Sequence, residues 1–352
     1  MTDWKSIFEQ LSQANGISGK ETEVTQFIAK IVQPWIDELK TNPLGSLIAI
    51  KKGSGKHHPR LMISTHIDEI GFVVSAIEDG GFIRIEPRGG VDPKVLPAQI
   101  LQILGREGPI PAEVCTIPPH LLLSEERDKV MVYEKMLLDT GMDETEVKRR
   151  VLIGDPIVFS MPFKALAGTK FSGKSMDNRA SALVSMKLLE SLQRTKHQWD
   201  VCCVFSVQEE VGCKGAKTSA YELQPSCAIA LDVSFGEQPE VKEADSFPLG
   251  SALPLGIGPN FSKKLLQLIQ NAANEDQIAT VLDPTPFPRG TDASTIQTVS
   301  EGIPTALISL PLRYMHTPIE TIDEKDINNA SRLLQGVIRK LDEEHGEGFK
   351  CF

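Results

Sequence analysis

Apolar residues recur at helical spacing near the start of the chain, at Trp4, Ile7, Phe8 and Leu11, until Gly16 and Gly19 break the period. Residues 21–39 resume it, with Val24, Phe27, Ile28, Ile31 and Val32 on one face, which predicts a second helix. Residues 46–51 and 61–64 read as strands separated by the polar turn Gly53-Ser54-Gly55-Lys56. From about residue 74 to residue 164 the pattern changes. Short β-like pieces at 82–85, 100–104, 112–117 and 157–159 alternate with Gly80-Gly81, Gly89-Gly90 and Pro118-Pro119, and one helix is predicted near 144–150. This reads as a small β-rich module inserted into a larger domain made of residues 1–73 and 165–352.

After the module, helices and apolar runs alternate. Residues 177–193 carry Ala180, Leu183, Val184, Leu188 and Leu192 on one stripe. Residues 201–207, 227–231 and 305–310 are continuous apolar strands, and 263–273 and 326–341 are helical. Unbroken apolar strands alternating with helices predict an α/β fold with a mainly parallel sheet covered on both faces.

Composition narrows the class. The 352 residues suit about two domains. Hydrophobic residues make up 41% and charged residues 24%, as in globular proteins. The net charge of −10 argues against nucleic acid or an anionic membrane as the main partner. No apolar run reaches the roughly 18 residues of a membrane-spanning helix, and the polar, amphipathic start has no signal-peptide core. The six cysteines form no CxxC pair, and three lie in apolar runs. They read as buried thiols of a cytoplasmic protein.

The chemistry lies in where the strands end. The strand at 61–64 runs into Thr65-His66-Ile67-Asp68-Glu69, and the strand at 201–207 into Gln208-Glu209-Glu210. The strand at 227–231 meets Asp232, and the strand at 305–310 leads on to His316. Ligands of open α/β sheets bind at that edge. Asp177 opens the long helix and is a fifth candidate. Each has a plain alternative. A lone histidine is commonly hydrogen-bonded, Asp177 can be an N-cap, and Glu209-Glu210 can be a solvated turn. Four strand ends sharing the pattern point instead to a metal hydrolase. Imidazole with carboxylate suits Zn²⁺, Co²⁺ or Mn²⁺ better than Ca²⁺ or Mg²⁺. Two histidines and three acids suffice for two metals if one carboxylate bridges, leaving one acid as general base. His57, His58, His120, His197 and His345 lie in polar stretches and read as bystanders.

Two other readings compete. Gly168-Thr169-Lys170-Phe171-Ser172-Gly173-Lys174-Ser175 matches the phosphate-loop pattern, but mid-chain and after a weak run. Paired carboxylates also serve glycosidases. If the chain is extended at Glu209 and Glu210, however, the two side chains diverge and cannot easily flank one glycosidic bond.

The blocks Thr65-His66-Ile67-Asp68-Glu69-Ile70-Gly71-Phe72, Gly173-Lys174-Ser175-Met176-Asp177-Asn178-Arg179, Gln208-Glu209-Glu210-Val211-Gly212 and Tyr314-Met315-His316-Thr317-Pro318 resemble the glutamyl and deblocking aminopeptidases. These form tetrahedral (TET) particles and also go under the names endoglucanase and cellulase M. Gly16-Ile17-Ser18-Gly19-Lys20-Glu21, Gly154-Asp155 and Gly290-Thr291-Asp292-Ala293 extend the likeness over nearly the whole chain. The resemblance implies a zinc-exopeptidase-like domain with a dinuclear site for Zn²⁺ or Co²⁺, with Mn²⁺ also suitable. His66 and Asp232 would hold one metal, Glu210 and His316 the other, and Asp177 would bridge. Glu209 would be the general base, with Asp68 orienting His66. The substrates would be short peptides cut at the N-terminus. The module at 74–164 would drive dimerisation, and the dimers would assemble into a dodecamer. One departure is Arg289, which stands where many members carry glycine or another small residue.

Overall fold

The structure, a computed structural model, describes residues 2–55, 59–122, 125, 129–287 and 290–343. An eight-stranded mixed sheet runs in the order Glu38–Thr41, Leu47–Lys51, Asp200–Ser206, Arg60–His66, Cys227–Phe235, Thr305–Leu312, Leu253–Ile257 and Thr280–Pro284. Its four central strands, from Asp200–Ser206 to Thr305–Leu312, are mutually parallel. Antiparallel neighbours join them on both sides. The central strands are apolar at nearly every position because both faces are covered. Alternate residues face opposite layers. Leu61, Ile63, Val201, Cys203 and Ile229 pack under one set of helices, whereas Met62, Cys202, Val204 and Ala228 face Ala216, Ala220 and Ile296 on the other side.

The helix Met176–Leu192 is buried around most of its circumference, not along the single stripe expected. Ala180, Ser181, Ala182 and Ser185 keep its surface small, so the sheet and the helices Trp4–Gln13, Thr22–Val32 and Glu324–Glu343 all approach it. The predicted helix over 21–39 stops at Val32. Pro34 has no amide hydrogen to continue the ladder, and a short 3₁₀ turn follows. Residues 38–41 instead form the edge strand, joined to Leu47–Lys51 through a turn in which the Asn42 side chain accepts from the amides of Leu44, Gly45 and Ser46.

A second, closed sheet stands apart from the first. Its six strands run in the order Gly71–Ile77, Ile83–Arg88, Leu137–Asp139, Gly108–Val114, Ile100–Gly105 and Pro156–Phe159. Alternating positions fill its interior, with Phe72, Val74, Ile83, Ile85, Leu101 and Ile103 among them. The helix at Glu144–Arg150 lies where the sequence places it. The first barrel strand starts at Gly71, so residues 71–73 are continuous with the barrel. A three-stranded sheet of Lys164–Ala165, Lys170–Gly173 and Glu320–Asp323 completes the fold. No helix among the described residues is long and apolar enough to cross a membrane.

Candidate metal centre

The carboxyl ends of the four parallel strands lie on one edge, and the sequence-predicted residues converge there. His66 is the last residue of its strand. Asp232 lies inside Cys227–Phe235, which runs beyond the end expected at residue 231. Glu209 and Glu210 follow Asp200–Ser206, and His316 lies in the connection after Thr305–Leu312 with φ +62°. Asp177 enters from the start of Met176–Leu192 and does not cap it. Its backbone is not yet helical (φ −78°, ψ 104°), and its carboxylate points at the strand ends.

The donor atoms are close together. His66 Nε2 is 3.1 Å from Asp177 Oδ1 and 3.7 Å from Asp232 Oδ1. His316 Nε2 is 3.4 Å from Asp177 Oδ2 and 3.5 Å from Glu210 Oε1. The two oxygens of Asp177 therefore face different histidines. Glu209 Oε2 stands 4.0 Å from His66 Nε2. With Val233, Ser234, Phe235, Gly290, Thr291 and Met315, these groups line a cavity of about 370 Å³.

The outer contacts determine which ring nitrogen faces the centre. His316 Nδ1 lies 2.7 Å from the Gly90 carbonyl, which can only accept, so Nδ1 carries the hydrogen. His66 Nδ1 lies 3.3 Å from the Asp68 carbonyl and 3.5 Å from its carboxylate, with the same consequence. Both imidazoles thus present Nε2 to a ring of carboxylates, the orientation of metal-ligating histidines braced from outside.

Asp68 does more than orient His66. Its carboxylate also accepts from Ser18 Oγ at 2.6 Å and from the amides of Glu209 and Glu210 at 3.0 and 3.2 Å. The chain is not extended at these two glutamates. Gln208 has φ +57°, and the Gly212 and Cys213 amides both return to the Glu209 carbonyl. The two side chains still part, Glu209 toward His66 and Glu210 toward His316, because Asp68 pins a turn there. Sequence reasoning missed Glu320. This buried carboxylate accepts from the amides of Asp177 (3.1 Å) and His316 (2.8 Å), tying two donors together from behind. Its position four residues after His316 is the sole trace of this in the sequence.

The electrostatics describe a crowd of buried acids around two imidazoles. Burial pushes Glu209 up to about 10, against the pull of His66. Burial likewise holds Asp232 well above the usual carboxylate range. For His66, burial works against charge, but Glu209, Asp177, Asp68 and Asp232 overcome it and raise the imidazole well above its ordinary value. His316 is raised to about 11, because hydrogen bonds to Asp177 and Glu210 outweigh its desolvation. Asp177 is also desolvated, yet His316 and His66 hold it below the usual range. Four acids crowded around two Nε2 atoms need either imidazolium protons or bound cations, and His66, Asp177 and Glu210 have the mutual spacing of metal ligands. The residues fit a divalent metal.

The phosphate-loop reading fails on geometry. Residues 170–173 of the motif are a strand paired with Glu320–Asp323, not a loop. Lys174 is 3% exposed, and its Nζ is 2.7 Å from Glu69 Oε2. Drawing it out to a phosphate would strand Glu69 without this partner, and breaking such a buried pair costs about 3–5 kcal/mol. Of the supposed bystanders, His197 is buried with Nδ1 on the Trp199 carbonyl, away from the centre. His57, His58, His345 and Arg289 lie outside the described residues.

Comparison with known proteins gives the family of this chain. The chain matches the family model described as M42 glutamyl aminopeptidase over residues 45–333. It is 31% identical to the lysyl aminopeptidase of Pyrococcus furiosus, over 97% of this chain and 98% of that one. Its fold superposes on the TET aminopeptidase of the marine sediment archaeon Thaumarchaeota archaeon SCGC AB-539-E09 with a TM-score of 0.92 at 32% identity, covering 97% of both chains. The Pyrococcus horikoshii TET1 peptidase, which can assemble into a tetrahedron or a large octahedral shell, matches with a TM-score of 0.85 at 26% identity over 96% of this chain and 99% of that one. A sheet edge of two braced histidines among buried acids, on a scaffold shared with these peptidases, places the chain in the M42 glutamyl aminopeptidase family of peptide hydrolases.

Proposed function

We propose that this enzyme removes the N-terminal residue of short peptides at a two-metal centre. His66 and Asp232 would hold one divalent cation, Glu210 and His316 the other, with Asp177 shared between them. The observation that carries this reading is the placement of Asp177, whose two oxygens face the Nε2 atoms of different histidines. Charge supports two ions: Asp177, Glu209, Glu210 and Asp232 can together carry −4, which two divalent cations match. Zn²⁺ or Co²⁺ suits the imidazole–carboxylate donors, as does Mn²⁺. Such ions, when bound, polarise the scissile carbonyl and lower the pKa of water.

The protein's own part falls to Glu209 and its supports. Glu209 takes a proton from the attacking water as the water oxygen bonds to the carbonyl carbon. It returns that proton to the nitrogen as the C–N bond breaks, so the amine leaves neutral. Asp68 holds His66 in its tautomer and keeps the two glutamates apart.

We assign the inserted barrel the main dimer contact, with dimers building a larger closed particle such as a dodecamer. Exposed Ile100, Ile117, Leu121, Val132 and Ile153 on the inserted segment support this. Replacing Leu121 and Ile153 by Asp should give a smaller particle by light scattering, and an unchanged mass would refute the contact. Free thiols at the described cysteines suit a reducing, cytoplasmic setting.

Chelation tests the central claim. Purified protein should lose hydrolysis of aminoacyl and short-peptide substrates on chelation and regain it with Co²⁺ or Zn²⁺. Full activity in metal-stripped protein would overturn the reading. So would hydrolysis of soluble cellulose by that protein, in favour of a glycosidase.

A further inference from the structure

A second group of donors lies behind Glu209, away from the histidines. Cys213 Sγ is 3.3 Å from Glu209 Oε1, and an Asp292 carboxylate oxygen completes a set whose atoms all lie within 4.8 Å of one another. All three residues are buried, Asp292 to 2% exposure. Ser64 and Ser206 each donate to Asp292 Oδ2 at 2.7 Å and hold the carboxylate in place. Asp292 Oδ1 has no hydrogen-bond partner among the described residues. A buried carboxylate oxygen without a partner is costly, and the Asp292 carboxylate has another carboxyl group and a thiol among its close neighbours. The proposed reaction uses neither Cys213 nor Asp292.

We propose that Glu209, Cys213 and Asp292 form an additional cation site, selective for a thiophilic divalent ion such as Zn²⁺ or Cd²⁺, whose occupation switches the enzyme off. One thiolate and two carboxylates are a suitable donor set for such ions. Bond lengths of about 2.0–2.3 Å set tetrahedral donors about 3.4–3.6 Å apart. The Sγ–Oε1 separation is already close to that, and Asp292 offers an oxygen within 4.8 Å of both atoms. On binding, the Cys213 S–H proton leaves to solvent and a sulfur–metal bond replaces the contact from Cys213 to Glu209. Burial keeps this thiol above its ordinary range in the absence of metal, so loading requires a cation that competes well for sulfur. Inhibition follows because the ion engages the carboxylate that otherwise accepts the proton of water; this half of the inference rests on the assignment of Glu209 as general base.

The experiment uses the holoenzyme with its activating metal in place. Stepwise Cd²⁺ should raise a cadmium–thiolate absorbance band saturating at one equivalent per chain, with activity falling in parallel. Excess Zn²⁺ should inhibit similarly, with one further equivalent retained after gel filtration. Cys213→Ser should keep basal turnover, lose the band and need at least tenfold more Zn²⁺ for half-inhibition. Asp292→Asn provides a second variant should Cys213→Ser fold poorly, and should weaken the same binding. Absence of the band in the wild type, or equal inhibition of Cys213→Ser, would overturn the site. A full band with unchanged turnover would keep the site and instead overturn the role of Glu209.

Discussion

Glu209→Gln is expected to retain its activating metals and fold while turnover falls about 10²- to 10⁴-fold. Gln keeps the length and shape of the side chain, and Glu209 stands at the cavity 4.0 Å from His66 Nε2 without sharing the close contacts that Glu210 makes with His316. What Gln cannot do is accept the proton of water and return it to the amine. The check is metal content measured beside kcat on the same preparation. Loss of a metal in Glu209→Gln, with full occupancy in Glu210→Gln, would exchange the two roles.

The second large effect concerns Asp177. Asp177→Asn should lower the content of both metals and abolish detectable turnover at ordinary metal concentration. Glu210→Gln should weaken one metal and recover part of its activity at high metal. The difference follows from geometry, since one Asp177 oxygen faces His66 and the other His316. An amide offers one oxygen and directs its NH₂ toward the other histidine. If Asp177→Asn lost a single metal and recovered at high concentration as Glu210→Gln does, the bridging assignment would fail.

Much of this centre was legible before any fold was known. His66, Asp232 and the two glutamates each follow an apolar run buried on both faces, and such runs are the strongest strand signal a sequence carries. Elements whose sequence breaks such a run were harder to see. The strand Leu253–Ile257 contains Pro254 and Gly256, which demote a strand on sequence. The edge strand Thr280–Pro284 has Val281 and Leu282 exposed in succession, with no alternation to read. Residues 38–39 fall within the helix expected over 21–39, although its apolar face at Val24, Phe27, Ile28, Ile31 and Val32 ends before Pro34. At the site, the turn at Gln208 depends on Asp68, 140 residues earlier in the chain, and Glu320 acts through backbone amides. No local pattern records either one. The left-handed backbone at Gln208 and His316 is likewise imposed by those tertiary bonds.

The hydrogen bond from His316 to Gly90 has an evolutionary consequence. Gly90 follows the barrel strand Ile83–Arg88, while His316 lies in the connection after Thr305–Leu312 of the main sheet, so the inserted unit supplies a structural part of the candidate centre. A Cβ at Gly90 would lie 3.0 Å from the His316 ring, and one at Gly89 would lie 2.6 Å from Ile70. An ancestor lacking the insertion would have needed another acceptor for this histidine. A barrel exchanged between relatives as a cassette would have to carry its glycine pair in register. Recombination breakpoints within the family should therefore avoid separating residues 89–90 from the segment around residue 316, even though more than two hundred positions lie between them.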